Sequence, residues 1–375
     1  MLAESFVLFQ ELPTAVLEQI LTGDEIKATL KELDGGLATH PNSNDPFTLN
    51  PLYEQVRRYT TTIAADGDPA DVYYPVLPQV TADQLPIALM LQGALVDKAD
   101  YSNYAEEVAS YGFVVVVPNN ERTAMGPDGQ PVTGLLADEH QVNDVLNQMK
   151  AEDADASSPI FEIVDTETLG LLGHSFGGYA GLAAIQGICD PRVCSGGYTR
   201  PTELKAGIFY GTNFQNPIGT FPAIDNEDIP VGLIAGTLDG VAVFNEAVST
   251  YAKVEDVPKA LIAVEGANHY GITNEDSLTR DPNRPTLDQV TATETIGRWS
   301  GLFLRAHLLD DRAAWDYVYD TGSDLDPNAN VIYQTPLETV ETTLNLVALP
   351  VERLVKPAFV YQQNLPFLTH LNASN

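Results

Sequence analysis

The stretch from Leu169 to Ile185 admits few folds. Leu169, Leu171 and Leu172 lead into Gly173-His174-Ser175-Phe176-Gly177. A run of small residues follows, Gly178, Ala180, Gly181, Ala183 and Ala184, joined by Leu182 and Ile185. This reads as a buried strand, a sharp turn, and a helix whose small side chains let it lie close on a sheet. The spacing G-x-S-x-G puts a serine at a strained backbone position. Glycines two residues to either side, Gly173 and Gly177, remove side chains that would collide with the strand or the helix. The hydroxyl then stands clear of the turn, and the next N–H, that of Phe176, points from a helix N-terminus toward a reacting carbonyl. Five residues alone are a weak signature; set between an apolar strand and a small-residue helix they are a nucleophile elbow.

The flanking sequence repeats the strand–helix alternation. Pro86-Ile-Ala-Leu-Met-Leu-Gln is a buried strand ending at Gly93-Ala94, Tyr101–Tyr111 a helix, and Gly112–Pro118 a second buried strand with the unbroken apolar character of a parallel sheet. Ala137–Lys150 is amphipathic. Lys205–Gly211, Pro230–Gly236 and Ala260–Gly266 are three further apolar runs ending in glycine, and Thr291–Leu309 is a last long helix. Val56–Ala64 and Asp71–Pro75 are rich in β-formers and read as antiparallel edge strands. The order predicts an α/β fold built on a doubly wound, mostly parallel sheet. Residues 1–52 read as an N-terminal helical extension, 53–325 as the catalytic domain and 326–375 as a C-terminal extension.

A chain of 375 residues suits one large domain with extensions. Its 52 acidic against 19 basic residues give a net charge of −33, which repels nucleic acid and anionic lipid. No apolar run approaches the roughly 18 to 20 residues of a membrane span, so no stable membrane insertion is expected. The first ten residues carry no basic residue ahead of their apolar run, unlike a secretory signal. A soluble, cytoplasmic protein follows by default, or an extracytoplasmic one if a leader has been trimmed. Cys189 and Cys194 either form a small local disulfide or remain thiols; their spacing leaves both open. With no metal-ligand cluster beside them, no metal and no cofactor are expected.

A serine nucleophile needs a base and a group to orient it, and after an elbow the chain order is serine, acid, histidine. His269 lies in Gly266-Ala-Asn-His-Tyr-Gly directly after an apolar strand, where a base can overhang the sheet's carboxyl edge. His307 falls inside the last helix, His370 in the tail, and the His174 side chain belongs to the elbow and points away from the hydroxyl. Asp239 follows the strand Val231–Ala235, whereas Asp190, Asp225, Asp228 and Asp256 sit in polar loops or ahead of a strand. Ser175, His269 and Asp239 are therefore the expected nucleophile, base and orienting acid. Phe176 and Ala94 are the expected oxyanion N–H donors.

With these motifs in order, the chain resembles the α/β-hydrolases. Its likeness is to the group holding dienelactone hydrolase-like esterases, chlorophyllases, cutinase-like polyester hydrolases and platelet-activating-factor acetylhydrolases. The carriers are Leu91-Gln-Gly-Ala with Tyr101-Ser102, Ser110–Pro118, Gly173–Gly178, Ile229–Asp239 and Gly266–Tyr270, across roughly residues 55–310. The resemblance implies an α/β-hydrolase fold and a serine carboxylic-ester hydrolase working through an acyl-enzyme on a small-molecule or polymeric ester. Chlorophyllase-like action on a bulky alkyl ester leads, polyester hydrolysis comes next, and a silent binding protein on the same fold is the non-enzyme alternative. Chlorophyllases carry His-Gly-Phe where this chain has Gln92-Gly93-Ala94, and cutinase-like enzymes carry an aromatic at the position of Ala94. Residues 187–204 read as an insertion relative to the latter.

Overall fold

The computed structural model describes residues 49–77, 84–125 and 130–336. The N-terminal helical extension up to residue 48, the tail from 337 and His370 lie outside them. Nine strands form one sheet: β1 (Val56–Ile63), β2 (Asp68–Pro75), β3 (Leu85–Leu91), β4 (Val114–Pro118), β7 (Val164–His174), β8 (Leu204–Tyr210), β9 (Val231–Gly236), β10 (Lys259–Val264) and β11 (Ala329–Gln334). Their order is β1-β2-β4-β3-β7-β8-β9-β10-β11. From β4 to β10 every pairing is parallel, while β1, β2 and β11 join antiparallel at the edges. Every residue of β3, β4, β9 and β10 is buried, the result of covering both faces.

The two layers are distinct. On one face pack α2 (His140–Asp153), α3 (Phe176–Gln186) and α4 (Phe244–Tyr251). On the other pack α1 (Ser102–Ser110) and α5 (Gln289–Leu308), with Trp299, Leu302 and Phe303 fully buried. Asp288 caps α5, its side chain accepting from the N–H groups of Val290 and Thr291. This is the α/β-hydrolase arrangement expected from sequence. No helix among the described residues is long and apolar enough to cross a membrane.

Two features depart from the sequence reading. The sheet continues beyond residue 325, where the C-terminal extension was expected to begin. Asp326 accepts from Trp299 Nε1 at 2.9 Å and Arg298 at 2.7 Å, and β11 then pairs with β10. The second is a hairpin of β5 (Glu121–Met125) and β6 (Pro131–Leu135), which forms a separate two-stranded sheet.

Chain order fixes where a site belongs. From β3 the chain steps outward to β4; from β7 it steps the other way through β8, β9 and β10. The order reverses between β3 and β7, and the crevice outside their carboxyl ends is where such sheets bind ligands. The segments that follow β3 and β7 carry Ala94 and Ser175.

Candidate active site

Ser175 follows β7 directly and has φ 53° and ψ −117°, a left-handed conformation that costs a non-glycine residue energy. Neighbours hold it there. Its N–H donates to Tyr210 C=O at 2.9 Å, and its C=O accepts from Thr212 Oγ1 at 2.8 Å and Tyr179 N–H at 3.1 Å. A Cβ on Gly177 would overlap the Leu91 carbonyl at the end of β3, and one on Gly173 would lie 2.9 Å from the Gly177 and Gly178 backbone. The elbow glycines thus permit the close approach of α3 to β3 and β7.

Asp239 lies three residues past β9 and is 3% exposed. Its Oδ1 accepts from Val241 and Ala242 N–H, each at 2.8 Å. Its Oδ2 lies 2.8 Å from His269 Nδ1. With Nδ1–H donating to the carboxylate, Nε2 keeps the lone pair that a base uses. Gly211, next to the Tyr210 that holds Ser175, has φ +57°, and a Cβ there would sit 3.1 Å from both Asp239 Oδ2 and His269 Nδ1. The structure therefore brings the acid and the base together beside the backbone that anchors the serine. Among the described residues the Ser175 hydroxyl makes no hydrogen bond; serine–histidine contacts of this kind often tighten only with substrate in place. The competing acids lie elsewhere: Asp190 engages Arg192 and Tyr179, and Asp256 accepts from the Asp228 N–H.

The His269 backbone is fixed as firmly as its ring. Its N–H donates to Asp281 Oδ2 at 2.8 Å, and its C=O faces His174 Nε2 at 3.0 Å. His174 is fully buried, and burial, with His269 adding to it, holds its pKa well below the ordinary value of 6.5. A neutral ring facing a carbonyl through Nε2 must donate there, so Nδ1 accepts. It does so from Tyr101 OH at 2.9 Å, and Tyr101 in turn accepts from Gly93 N–H at 2.9 Å. One buried imidazole thus links the base's loop to the turn after β3. His307, in the last turn of α5, is occupied by Tyr319, whose OH lies 2.7 Å from its Nε2.

At the turn after β3, Gly93 C=O accepts from Val96 N–H at 3.1 Å and Leu95 N–H donates to Leu135 C=O at 2.6 Å. Between them the Ala94 N–H has no acceptor among the described residues. Phe176 is the first residue of α3, and the first N–H groups of a helix have no intrahelical acceptor. Both N–H groups named from sequence as oxyanion donors are thus without an acceptor among the described residues. Sequence reasoning missed Asp281 and the roles of Tyr101 and Gly211. Asp281 sits in Asp-Pro-Asn, which reads only as a turn, and the role of Tyr101 depends on the depth of His174.

Cys189 and Cys194, left open by their spacing, are joined in a disulfide. They form, with Glu139, the one group of three or more potential metal-ligating side chains among the described residues. Sulfurs bonded to each other are not thiolate ligands.

A family model described as PETase, PET hydrolase-like, matches residues 54–280, a span from the first edge strand through Ser175, Asp239 and His269. No curated protein matches the chain. The match covers more than half of the sequence and carries the fold with it: the chain belongs to the PET hydrolase-like family of α/β-hydrolase ester hydrolases.

Proposed function

We propose that the chain is a serine carboxylic-ester hydrolase that cleaves hydrophobic esters, polyester chains among them, through an acyl-enzyme. The observation that carries the reading is the buried Asp239–His269 pair, 2.8 Å apart, beside the strained Ser175 turn. Ser175 Oγ attacks the ester carbonyl carbon while His269 Nε2 takes its proton. Asp239 stays ionised, holds the tautomer and stabilises the imidazolium. The tetrahedral oxyanion accepts from the Ala94 and Phe176 N–H groups. Collapse expels the alcohol, which receives the proton from His269. Water, deprotonated by His269, then attacks the acyl carbon and releases the acid and Ser175.

The substrate class rests on two supports. The family is named for hydrolysis of a polyester. In addition, Leu95, Val132, Ile218, Val241, Val243 and Leu278 are large apolar residues left exposed. Five of them lie on loops after the carboxyl ends of β3, β8, β9 and β10, and Val132 lies on the hairpin bonded to the first of those loops. These loops leave the same edge of the sheet as the Ser175 turn, and exposed apolar residues along that edge suit an apolar substrate. The family description favours a polyester over the bulky alkyl ester of a chlorophyllase.

The test is Ser175→Ala. Turnover of a chromogenic ester should fall by about 10⁴ to 10⁶ with folding intact. A fluorophosphonate should label the wild type at Ser175 and leave the variant unlabelled. A wild type that is neither labelled nor active would favour the silent binding protein.

A further inference from the structure

The turn that carries Ala94 is strained. Leu95 has φ 59°, a left-handed value that a branched side chain adopts only when its surroundings enforce it. The enforcement comes from outside the turn. Arg280, eleven residues beyond His269, donates through one guanidinium nitrogen to Ala94 C=O and through the other to Leu95 C=O, the latter at 3.2 Å. The guanidinium lies 5.2 Å over the ring of Tyr270, the residue after His269. Arg280 is exposed, and among the described residues it makes no salt bridge, in a chain with 52 acidic residues. Its fork is committed to two backbone carbonyls.

Resting on the assignment of Ala94 as an oxyanion donor, we propose that Arg280 is a positioning residue. It clamps the Ala94 and Leu95 peptides and thereby aims the Ala94 N–H at the oxyanion. The Gly93–Ala94 peptide is held through its carbonyl by Val96, and the Ala94–Leu95 peptide through its N–H by Leu135. Without Arg280 each of the three peptide planes from Gly93 to Val96 would be held by a single hydrogen bond, and concerted rotation of the planes about those bonds would let Leu95 relax its positive φ and turn the Ala94 N–H. A planar fork spanning both carbonyls blocks that rotation; an ammonium, a point donor, can hold one at best. Arg280 also joins the loop that carries the base to the loop that carries the oxyanion donor, on the solvent side of the site. His174 makes the same connection from the buried side.

Arg280→Gln and Arg280→Lys decide the matter, with an uncharged short-chain p-nitrophenyl ester as substrate. Diethyl p-nitrophenyl phosphate serves as inactivator, because its phosphoryl oxygen occupies the oxyanion position when Ser175 attacks. Removing an oxyanion donor outright costs about 10² to 10³ in kcat, so loosening one should cost less. Arg280→Gln should lower kcat about tenfold with KM within about twofold, slow inactivation by a similar factor, and Arg280→Lys should fall between it and wild type. A kcat for Arg280→Gln within about twofold of wild type overturns the proposal, as does a fall in kcat with inactivation unchanged. Ser175→Ala, assayed alongside, separates the two levels. Activity surviving in that variant removes the site reading itself, whereas an inactive Ser175→Ala with an unaffected Arg280→Gln removes only the role of Arg280.

Discussion

Asp239 uses both carboxylate oxygens, one on the two backbone N–H groups of its own turn and one on His269 Nδ1. That division sets what an amide would do. In Asp239→Asn the carbonyl oxygen can keep the turn's two hydrogen bonds, while the NH₂ faces Nδ1 and favours the tautomer with its proton on Nε2. The fold should survive and kcat should fall by up to about 10⁴, with KM little altered. Asp225→Asn, Asp228→Asn and Asp256→Asn, assayed beside it, should each stay within about tenfold of wild type. Retained activity in Asp239→Asn with loss in one of the others would move the acid. Asp239 and His269 were legible because each follows an apolar run ending at the sheet's carboxyl edge. Asp281 was not, because it acts on the His269 backbone N–H, and no side-chain chemistry signals that contact. His174 was legible as a structural residue, but its bridge from Tyr101 to His269 C=O depends on a burial that one neighbouring residue type cannot reveal.

At the scale of elements, the elbow works because α3 lies against the carboxyl end of β3, and Gly177 is the point of closest approach. A methyl at Gly177 meets the Leu91 carbonyl, a backbone group that cannot swing away. Gly177→Ala should therefore cost about 3 kcal/mol or more and depress activity even where the protein still folds. A methyl on Gly197 would meet no atom within 4 Å, and the backbone there has no positive φ, so Gly197→Ala should stay within about 0.5 kcal/mol. Thermal melts of the two variants compare them directly, and equal stabilities would mean that α3 packs with more slack than the geometry allows. Central elements could be read from the chain because strands covered on both faces are apolar throughout, as Val114–Val117 and Leu85–Leu91 are. The hairpin β5–β6 escaped because its short strands mix polar and apolar residues with no buried face, and its backbone contact with the rest of the fold is with Leu95 in a distant loop. β11 escaped because its six residues acquire a strand's register only from β10.

For the whole molecule, two titratable groups desolvated by the fold, Glu139 and His307, tilt stability in opposite directions with pH. His307 packs against Phe303, Trp315 and Tyr319, and burial lowers its pKa from 6.5 to about 3. The folded chain declines a proton that the unfolded chain accepts, so this contribution is complete above pH 6.5 and is lost as pH falls from there toward 3. Glu139 is fully buried, with Oε2 unpartnered, and desolvation raises its pKa from 4.5 to about 8. Here the folded chain holds a proton that the unfolded chain releases, so the contribution is complete below pH 4.5 and is lost as pH rises toward 8. Each unit of pKa difference corresponds to about 1.4 kcal/mol, enough for either group to move the melting temperature measurably. His307→Gln and Glu139→Gln remove the titration while keeping a polar group in place. The difference in Tm between His307→Gln and wild type should shift in the variant's favour as pH falls from about 7 to about 4. For Glu139→Gln the same difference should shift in the variant's favour as pH rises from about 5 to about 9. Subtracting wild type at each pH cancels the titration of the exposed carboxylates that dominate a chain of net charge −33. Two flat difference curves would show that neither group is shifted by burial, and curves of the same slope would show that the sign of one shift is wrong.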